Sequence, residues 1–235
     1  MAARNAVAVE KKGRASSARS RTREAPPEGD DEQAVRPYHH GNLREELIRR
    51  GKERLKEESA PDLSLRQIAA DAGVSQVAPK YHFGNKEGLL AAIAASGFRE
   101  LTEFRYSRMK PGMTAEQRLH VLLSSYVVFA TLNPALFHLM FSPQFKAHDH
   151  PELMESASQS YQLLAHAAGE FLKESGRGGN PTAADDAARV GWISMHGLAT
   201  LMMEHRINPI GAPRYSREQL LERTLDMVFA AIKTL

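Results

Sequence analysis

The chain has 235 residues, enough for one large domain or two modest ones. It contains no cysteine, which excludes a disulfide scaffold, a thiol nucleophile and thiolate-held zinc or iron–sulfur; 42% hydrophobic and 25% charged residues exclude collagen-like and wholly unfolded chains. The net charge of +3 sits mostly in the first few dozen residues, so overall charge alone does not argue for a nucleic-acid partner.

Residues 1–36 contain no aromatic residue, no leucine and no isoleucine. Residues 1–23 hold seven basic side chains against one acid, and residues 24–36 hold five acids against Arg36. Such a segment buries too little apolar surface to offset the entropy of ordering, so a disordered tail is expected. It reads either as a basic arm that reaches DNA phosphates or a minor groove, or as a solubilising leader. No apolar stretch follows the N-terminal charges, so a secretory signal is not expected. The remaining 199 residues carry 23 basic and 22 acidic side chains and are nearly neutral.

From Tyr38 onward helix follows helix. Leu43, Leu47, Ile48 and Leu55 form a 3.6-period stripe on a helix from about Gly41 to Glu58, ended by Pro61-Asp62. Four later starts carry a Ser/Thr followed three residues on by Gln or an acid: Ser64–Gln67, Thr114–Gln117, Thr182–Asp185 and Ser216–Gln219. Pro134 and Pro151 stand at plausible first helical positions. Stops are legible at Pro111-Gly112, Gly176–Gly179 and Asn208–Pro213. No alternating strand pattern is present, and the longest apolar run, Val121–Leu132, is broken by two serines and is shorter than the ~20 residues of a membrane span. The expected fold is all-α with about nine helices, and no membrane partner is expected.

The most informative stretch runs from Ser64 to Phe83. A helix capped by Ser64 buries Leu65, Ile68, Ala69 and Ala72, Gly73 makes the turn, Val74 plugs back into the core, and Ser75 caps a second, short helix. Small residues at Ala69 and Gly73 suit two helices that cross steeply through a tight turn. This is a helix-turn-helix pattern, whose second helix enters a major groove while the first crosses the backbone. An ordinary αα-corner has the same bare pattern.

Together with Tyr38-His-His-Gly-Asn-Leu43 upstream and Gly84-Asn-Lys-Glu-Gly-Leu-Leu90 downstream, the stretch resembles the tetracycline-repressor (TetR) family of transcriptional regulators. The likeness is close over 38–98. Further on, Asn133–Phe141 and Gly191-Trp-Ile-Ser-Met-His-Gly197 resemble one C-terminal subgroup marked by Trp…His-Gly. The resemblance implies a helix-turn-helix DNA-binding domain over 37–84 and a helical effector-binding and dimerisation domain over 85–235, with residues 1–36 as the tail. It puts Ser64 and Arg66 at phosphates, an assignment that a helix N-terminus suits independently. It opens the recognition helix with Ser75, Gln76 and Val77; Gln76 can pair with adenine and Val77 can meet a thymine methyl. Lys86 touches backbone where a long helix starts. The family's phosphate-contacting tyrosine position is held here by Lys80, with Tyr81 one residue later and about 100° around the helix. Pro79 removes a backbone donor. His82 either bonds a phosphate or caps the helix. Residues 37–90 hold nine basic and eight acidic side chains, so affinity is expected from a two-fold dimer on a palindromic operator in double-stranded DNA.

In the rest of the chain, Leu119, Leu122, Leu123, Tyr126, Val127, Phe129 and Ala130 cover much of one helix, which is therefore central: a packed core, or one wall of a ligand cavity. Phe137, Met140 and Phe141 follow, and methionine suits adaptable binding surfaces. Trp192 and His196 are i and i+4 and share a face. They read either as a filler and a satisfied core histidine, or as a pocket pair orienting a polar group of an otherwise apolar small-molecule effector. Tyr161 and His138 are further candidates, and Gly197 would let a neighbouring helix approach. Val190, Ile193, Leu198, Leu201 and Met202 on the penultimate helix, and Leu225, Phe229 and Ile232 with Leu221 and Val228 on the last, give faces that need cover. Pairing with a symmetry mate in a four-helix bundle would supply it.

No catalytic constellation is expected. Ser194 and His196 point about 200° apart on a helix. His148-Asp149-His150 reads as loop and helix cap rather than a metal site. The chain has no phosphate-binding glycine loop, so no cofactor is expected. The leading reading is a cytoplasmic, effector-responsive transcriptional regulator, repression being the family's usual mode. The alternative is an effector-less DNA-binding or nucleoid-type protein, with a helical small-molecule protein carrying a vestigial helix-turn-helix as a third.

Overall fold

The computed structural model describes residues 43–177 and 182–235. The tail 1–36, the Tyr38–Asn42 stretch with the first helix's predicted start at Gly41, and Gly178-Gly179 lie outside the described residues. Among the described residues there are nine α-helices, one 3-10 turn (Ala147–Asp149) and no strand. The helices are α1 Leu43–Leu55, α2 Leu65–Asp71, α3 Ala78–Phe83, α4 Lys86–Arg108, α5 Ala115–Leu132, α6 Pro134–Met140, α7 Pro151–Glu174, α8 Ala183–Met203 and α9 Arg217–Ile232.

Two of the four predicted capping boxes form. Thr114 Oγ1 accepts from Gln117 N at 3.2 Å while its own N–H donates to Gln117 Oε1 at 3.0 Å, and Ser216 and Gln219 repeat the arrangement. Ser64 stands at the N-cap of α2 in extended backbone, and its carbonyl accepts from Ile68 N at 3.0 Å, but its side chain does not cap. The Thr182 box fails because the Asp185 carboxylate is held at 2.7 Å by both the Tyr161 hydroxyl and Arg189 Nε. Pro134 and Pro151 open α6 and α7, where a missing N–H costs no helical bond.

The recognition helix starts later than its sequence suggests. Ser75 does not cap it; Val77 is its N-cap, and Ser75 O instead accepts from Ala78 N at 3.0 Å in the turn before it. Pro79 sets this limit. A helix begun at Ser75 would place the proline where its ring strikes the carbonyl of residue 75, whereas a start at Ala78 leaves it in the first turn. Gly73 makes the α2–α3 turn at φ 68°, a left-handed conformation that side chains rarely adopt.

α1 and α3 pack on α4 with α2 held against both of them, and α5, α6 and α7 pack on α4 as well. This makes α4 buried on nearly every side from Leu89 to Phe98. A Cβ on Gly88 would lie 2.1 Å from the Phe83 carbonyl oxygen, so the end of α3 approaches α4 as closely as a bare glycine allows. Leu119, Leu122, Leu123, Tyr126, Val127, Phe129 and Ala130 are all buried, and α5 is central as expected.

Two expectations about α8 and α9 change. Leu225, Val228, Phe229 and Ile232 are buried inside the chain's own core, Phe229 edge-on to Phe171 with ring centroids 5.3 Å apart. That stripe is therefore already covered. Gly197 is not a close-approach point within the chain, since nothing lies within 4 Å of where its Cβ would be; Gly191 fills that role, with a Cβ position 2.9 Å from Leu123. The large apolar residues left exposed on these two helices are Ile193 and Leu201 on α8 and Met227 on α9.

Candidate functional site

The head of the molecule presents a small exposed face. Arg66, Ser75, Gln76, Lys80 and Tyr81 are exposed, Ser64 and His82 half-buried. Val77 and Tyr81 are 71% and 88% exposed, high values for an apolar and an aromatic side chain in so short a helix. Tyr81 N donates to Val77 O at 3.1 Å, so the two stand i and i+4 on one face, with exposed Gln76 in the turn before the helix and exposed Lys80 within it. Pro79 is the buried residue of α3 and seats it against the core. The His82 ring meets Tyr81 edge-on at 5.4 Å and makes no cap. Lys86 is committed within the chain: its ammonium bonds the Pro61 carbonyl and ties the α1–α2 loop to the start of α4.

A cavity of about 310 Å³ lies between α4, α5, α7 and α8. Four of the predicted ligand residues line it: Tyr126, Phe141, Tyr161 and Trp192. Phe137, Met140 and His196 stand behind this wall. Phe137 backs Tyr126 edge-on at 5.3 Å, His196 meets Phe141 at 4.8 Å, and the Met140 sulfur fills the space beside Gly97. His138 is exposed and away from the lining.

A chain of hydrogen bonds crosses the wall. Trp192 Nε1 donates to the Tyr126 hydroxyl at 3.3 Å, and that hydroxyl is 2.8 Å from His196 Nδ1. Indole only donates, so the single phenolic proton is free to go to Nδ1, which leaves His196 protonated on Nε2. His196 is thus satisfied by a phenol. Burial, with a smaller contribution from His138, holds its pKa below the ordinary histidine value, which favours the neutral ring. Burial likewise raises the Tyr126 phenol, and it raises Tyr161 to about 12, helped by the Asp185 carboxylate.

Sequence reasoning missed Arg105. It lines the cavity at 3% exposure, lies over the Tyr126 ring at 5.5 Å, and donates from Nη1 to Ser160 O and Oγ at 3.1 and 3.0 Å. A signal was present: Ala94, Phe98, Leu101 and Arg105 keep one 3–4 spacing along α4, which puts a charge in phase with the core stripe.

Polar links run from this region to the head. Glu152, in the first turn of α7, binds Arg44 of α1 and, at 2.9 Å, Arg99 of α4. His150, just before α7, is 3.1 Å from Glu87 of α4, and Lys52 of α1 pairs with Glu100. His148 and Asp149 lie in the 3-10 turn rather than in plain loop, 3.0 Å apart, and His150 stands at the N-cap of α7 without a side-chain cap.

Residues 47–93 match the family described as bacterial regulatory proteins, tetR family, and residues 119–228 match the one described as tetracyclin repressor-like, C-terminal domain. A protein of unknown function from Rhodococcus sp. RHA1 is 30% identical, with a TM-score of 0.69 over 83% of this chain and 98% of that one. The chain belongs to the TetR family. Two further TetR-family structures share the fold. A TetR/AcrR regulator from Thermobifida fusca YX-ER1 has 19% identity and a TM-score of 0.56 over 80% of this chain and 96% of its own. A TetR regulator from Rhodococcus sp. RHA1 has 17% identity and a TM-score of 0.56 over 81% and 97%. No curated protein sequence is similar to this chain. As in the TetR family generally, the α2–α3 pair of this protein is a helix-turn-helix. Among the described residues no single helix is long and apolar enough to cross a membrane.

Proposed function

We propose that this TetR-family protein is a dimeric, sequence-specific DNA-binding regulator, acting as a cytoplasmic repressor, whose hold on a palindromic operator is released by a small, largely apolar effector in the α4–α5–α7–α8 cavity. The head spans 37–84 and the effector and dimer body 85–235; the Trp192…His196-Gly197 segment supports placing the body in the Trp…His-Gly subgroup. Gln76 and Val77 read base edges with Tyr81 on the same face, while Arg66, Lys80 and the N-terminus of α2 at Ser64 hold phosphates. Lys86 serves by fixing the loop around Pro61 and not as a free cation. Dimerisation uses the face of α8 that carries Ile193, Gly197 and Leu201 at i, i+4 and i+8, together with Met227 of α9; bare Gly197 gives a partner helix close access.

The observation that carries this reading is that α4 belongs to both sites. Its 23 residues, about 34 Å of helix at 1.5 Å per residue, begin against α3 and place Phe98, Leu101 and Arg105 in the cavity wall. α7 repeats the connection, since Glu152 holds Arg44 of the head and Ser160, eight residues on, holds Arg105. An effector that fits the cavity better in one placement of α4 and α7 shifts the head by that difference in affinity. The cavity weighs against an effector-less nucleoid protein. The test is selection of random duplexes on the purified protein, then titration of the selected sequence at several salt concentrations with and without residues 1–36. Enrichment of a palindrome supports the reading; binding that is unselective and lost without the tail overturns it.

A further inference from the structure

Arg105 is out of keeping with its surroundings. It is the one charged residue lining a wall otherwise made of rings, aliphatic chains, serines and an alanine, and no carboxylate pairs with it among the described residues. Burying a cation without a counter-charge is costly, and burial pulls its pKa down to about 10, which still leaves it charged at neutral pH. A guanidinium has five N–H donors. Nη1 spends two on Ser160, so among the described residues the Nε–H and both Nη2–H groups are left over, and Nε is buried with no partner there. Nε–H and one Nη2–H point the same way and form a planar fork, the shape that grips the two oxygens of a carboxylate.

The charge count narrows the ligand. A single buried cation balances a single negative charge; a dianionic phosphate would leave one charge uncompensated in an apolar cavity. Phe98, Leu101, Phe141 and Trp192 give an oily ligand body apolar contact. At about 310 Å³ the space lies at the small end of ligand pockets. We propose that the cavity takes a compact amphipathic carboxylic acid, its carboxylate on the Nε/Nη2 fork of Arg105 and its apolar body against Phe98, Leu101 and Trp192. This deepens the effector-site reading above and rests on it for its regulatory meaning, though not for binding itself.

Trp192 is the chain's only tryptophan and stands in the cavity wall, so the emission of the full-length protein reports on this site alone. Hexanoate, octanoate, decanoate and 4-phenylbutyrate are titrated at pH 7.5 against the alcohol and primary amide of each. The acids are expected to bind about 10- to 100-fold more tightly than their neutral counterparts, the range of a desolvated charge-assisted pair. Arg105→Met should collapse that ratio toward one, and Arg105→Lys, which keeps the charge but not the fork, should retain part of it. The wild-type ratio needs no variant to fold. Equal binding of acid and alcohol overturns the proposal, as does an unchanged ratio in a folded Arg105→Met or the failure of every acid to move the emission. Operator binding, followed in the same titrations, separates the two readings. An acid that binds without releasing DNA upholds the anion site and refutes its effector role; a neutral ligand that releases DNA with no acid preference does the reverse.

Discussion

Gly88→Ala sets two physical effects against each other. Intrinsic propensity alone favours alanine in a helix by up to ~1 kcal/mol. The structure reverses the sign, because the new Cβ would sit 2.1 Å from the Phe83 carbonyl oxygen and 3.1 Å from its carbon, both backbone atoms that cannot rotate away. Relief requires roughly 1 Å of movement of the α3 end, the strained-core regime that costs about 1–3 kcal/mol. The expected outcome is a net loss of about 1–2 kcal/mol, or some 2–8 °C in Tm for a chain of this size. Operator affinity should fall as well, because the strain displaces the reading helix. Gly197→Ala is the control, since nothing lies within 4 Å of its added methyl in the chain. That variant should hold or gain stability as a monomer while weakening self-association. Chemical denaturation and operator titration of both variants check the argument. A Gly88→Ala protein as stable as the parent, with unchanged DNA affinity, would refute it.

Tyr126→Phe removes the hydroxyl shared by Trp192 and His196 and should cost about 1 kcal/mol, since both partners are half-buried, with a shift in Trp192 emission as the local readout. His196 is held below the ordinary value of 6.5, so the folded state binds its proton less readily than the unfolded chain. Its contribution is complete above that value and declines as the pH falls below it; denaturation midpoints between pH 7.5 and 5 should drop more for the wild type than for His196→Gln. Ile193→Asp with Leu201→Asp should give a folded monomer by sedimentation, with weakened operator binding. Gln76→Ala should relax preference at one base step by about 1–3 kcal/mol. Lys80→Ala should weaken all sequences alike and lower the salt slope by about 0.9.

The helices were legible because their ends are written in local chemistry. Thr114 with Gln117, and Ser216 with Gln219, satisfy helix-terminal N–H groups through residues three apart, and nothing distant competes for them. Where a distant partner does compete, the local rule fails: Asp185 carries the box pattern but gives its carboxylate to Tyr161, 24 residues away, and to Arg189. The α9 stripe shows the same limit. Leu225, Phe229 and Ile232 declare that they are covered, but their spacing does not say whether the cover is a symmetry mate or the chain's own α8 and α5 with Phe171 of α7.

The cavity divides along this line too. Aromatic residues at helical spacing mark its wall, and Tyr126, Phe141, Tyr161 and Trp192 do line it. The polar logic of the site is non-local. His196 depends on Tyr126 seventy residues earlier, and Arg105 on Ser160 fifty-five residues later. An arginine on a helix that also carries Arg99 and Arg108 has the look of one more solvated charge until its phase with Phe98 and Leu101 is noticed. That phase forces a choice, because a guanidinium on a core stripe must be moved outward, neutralised or matched. Arg105 is not moved outward, since it is buried; it is not neutralised, since its pKa stays near 10; and Ser160 matches only two of its donors. What remains unmatched faces the cavity between α4, α5, α7 and α8, and a carboxylate is the simplest group that would complete it.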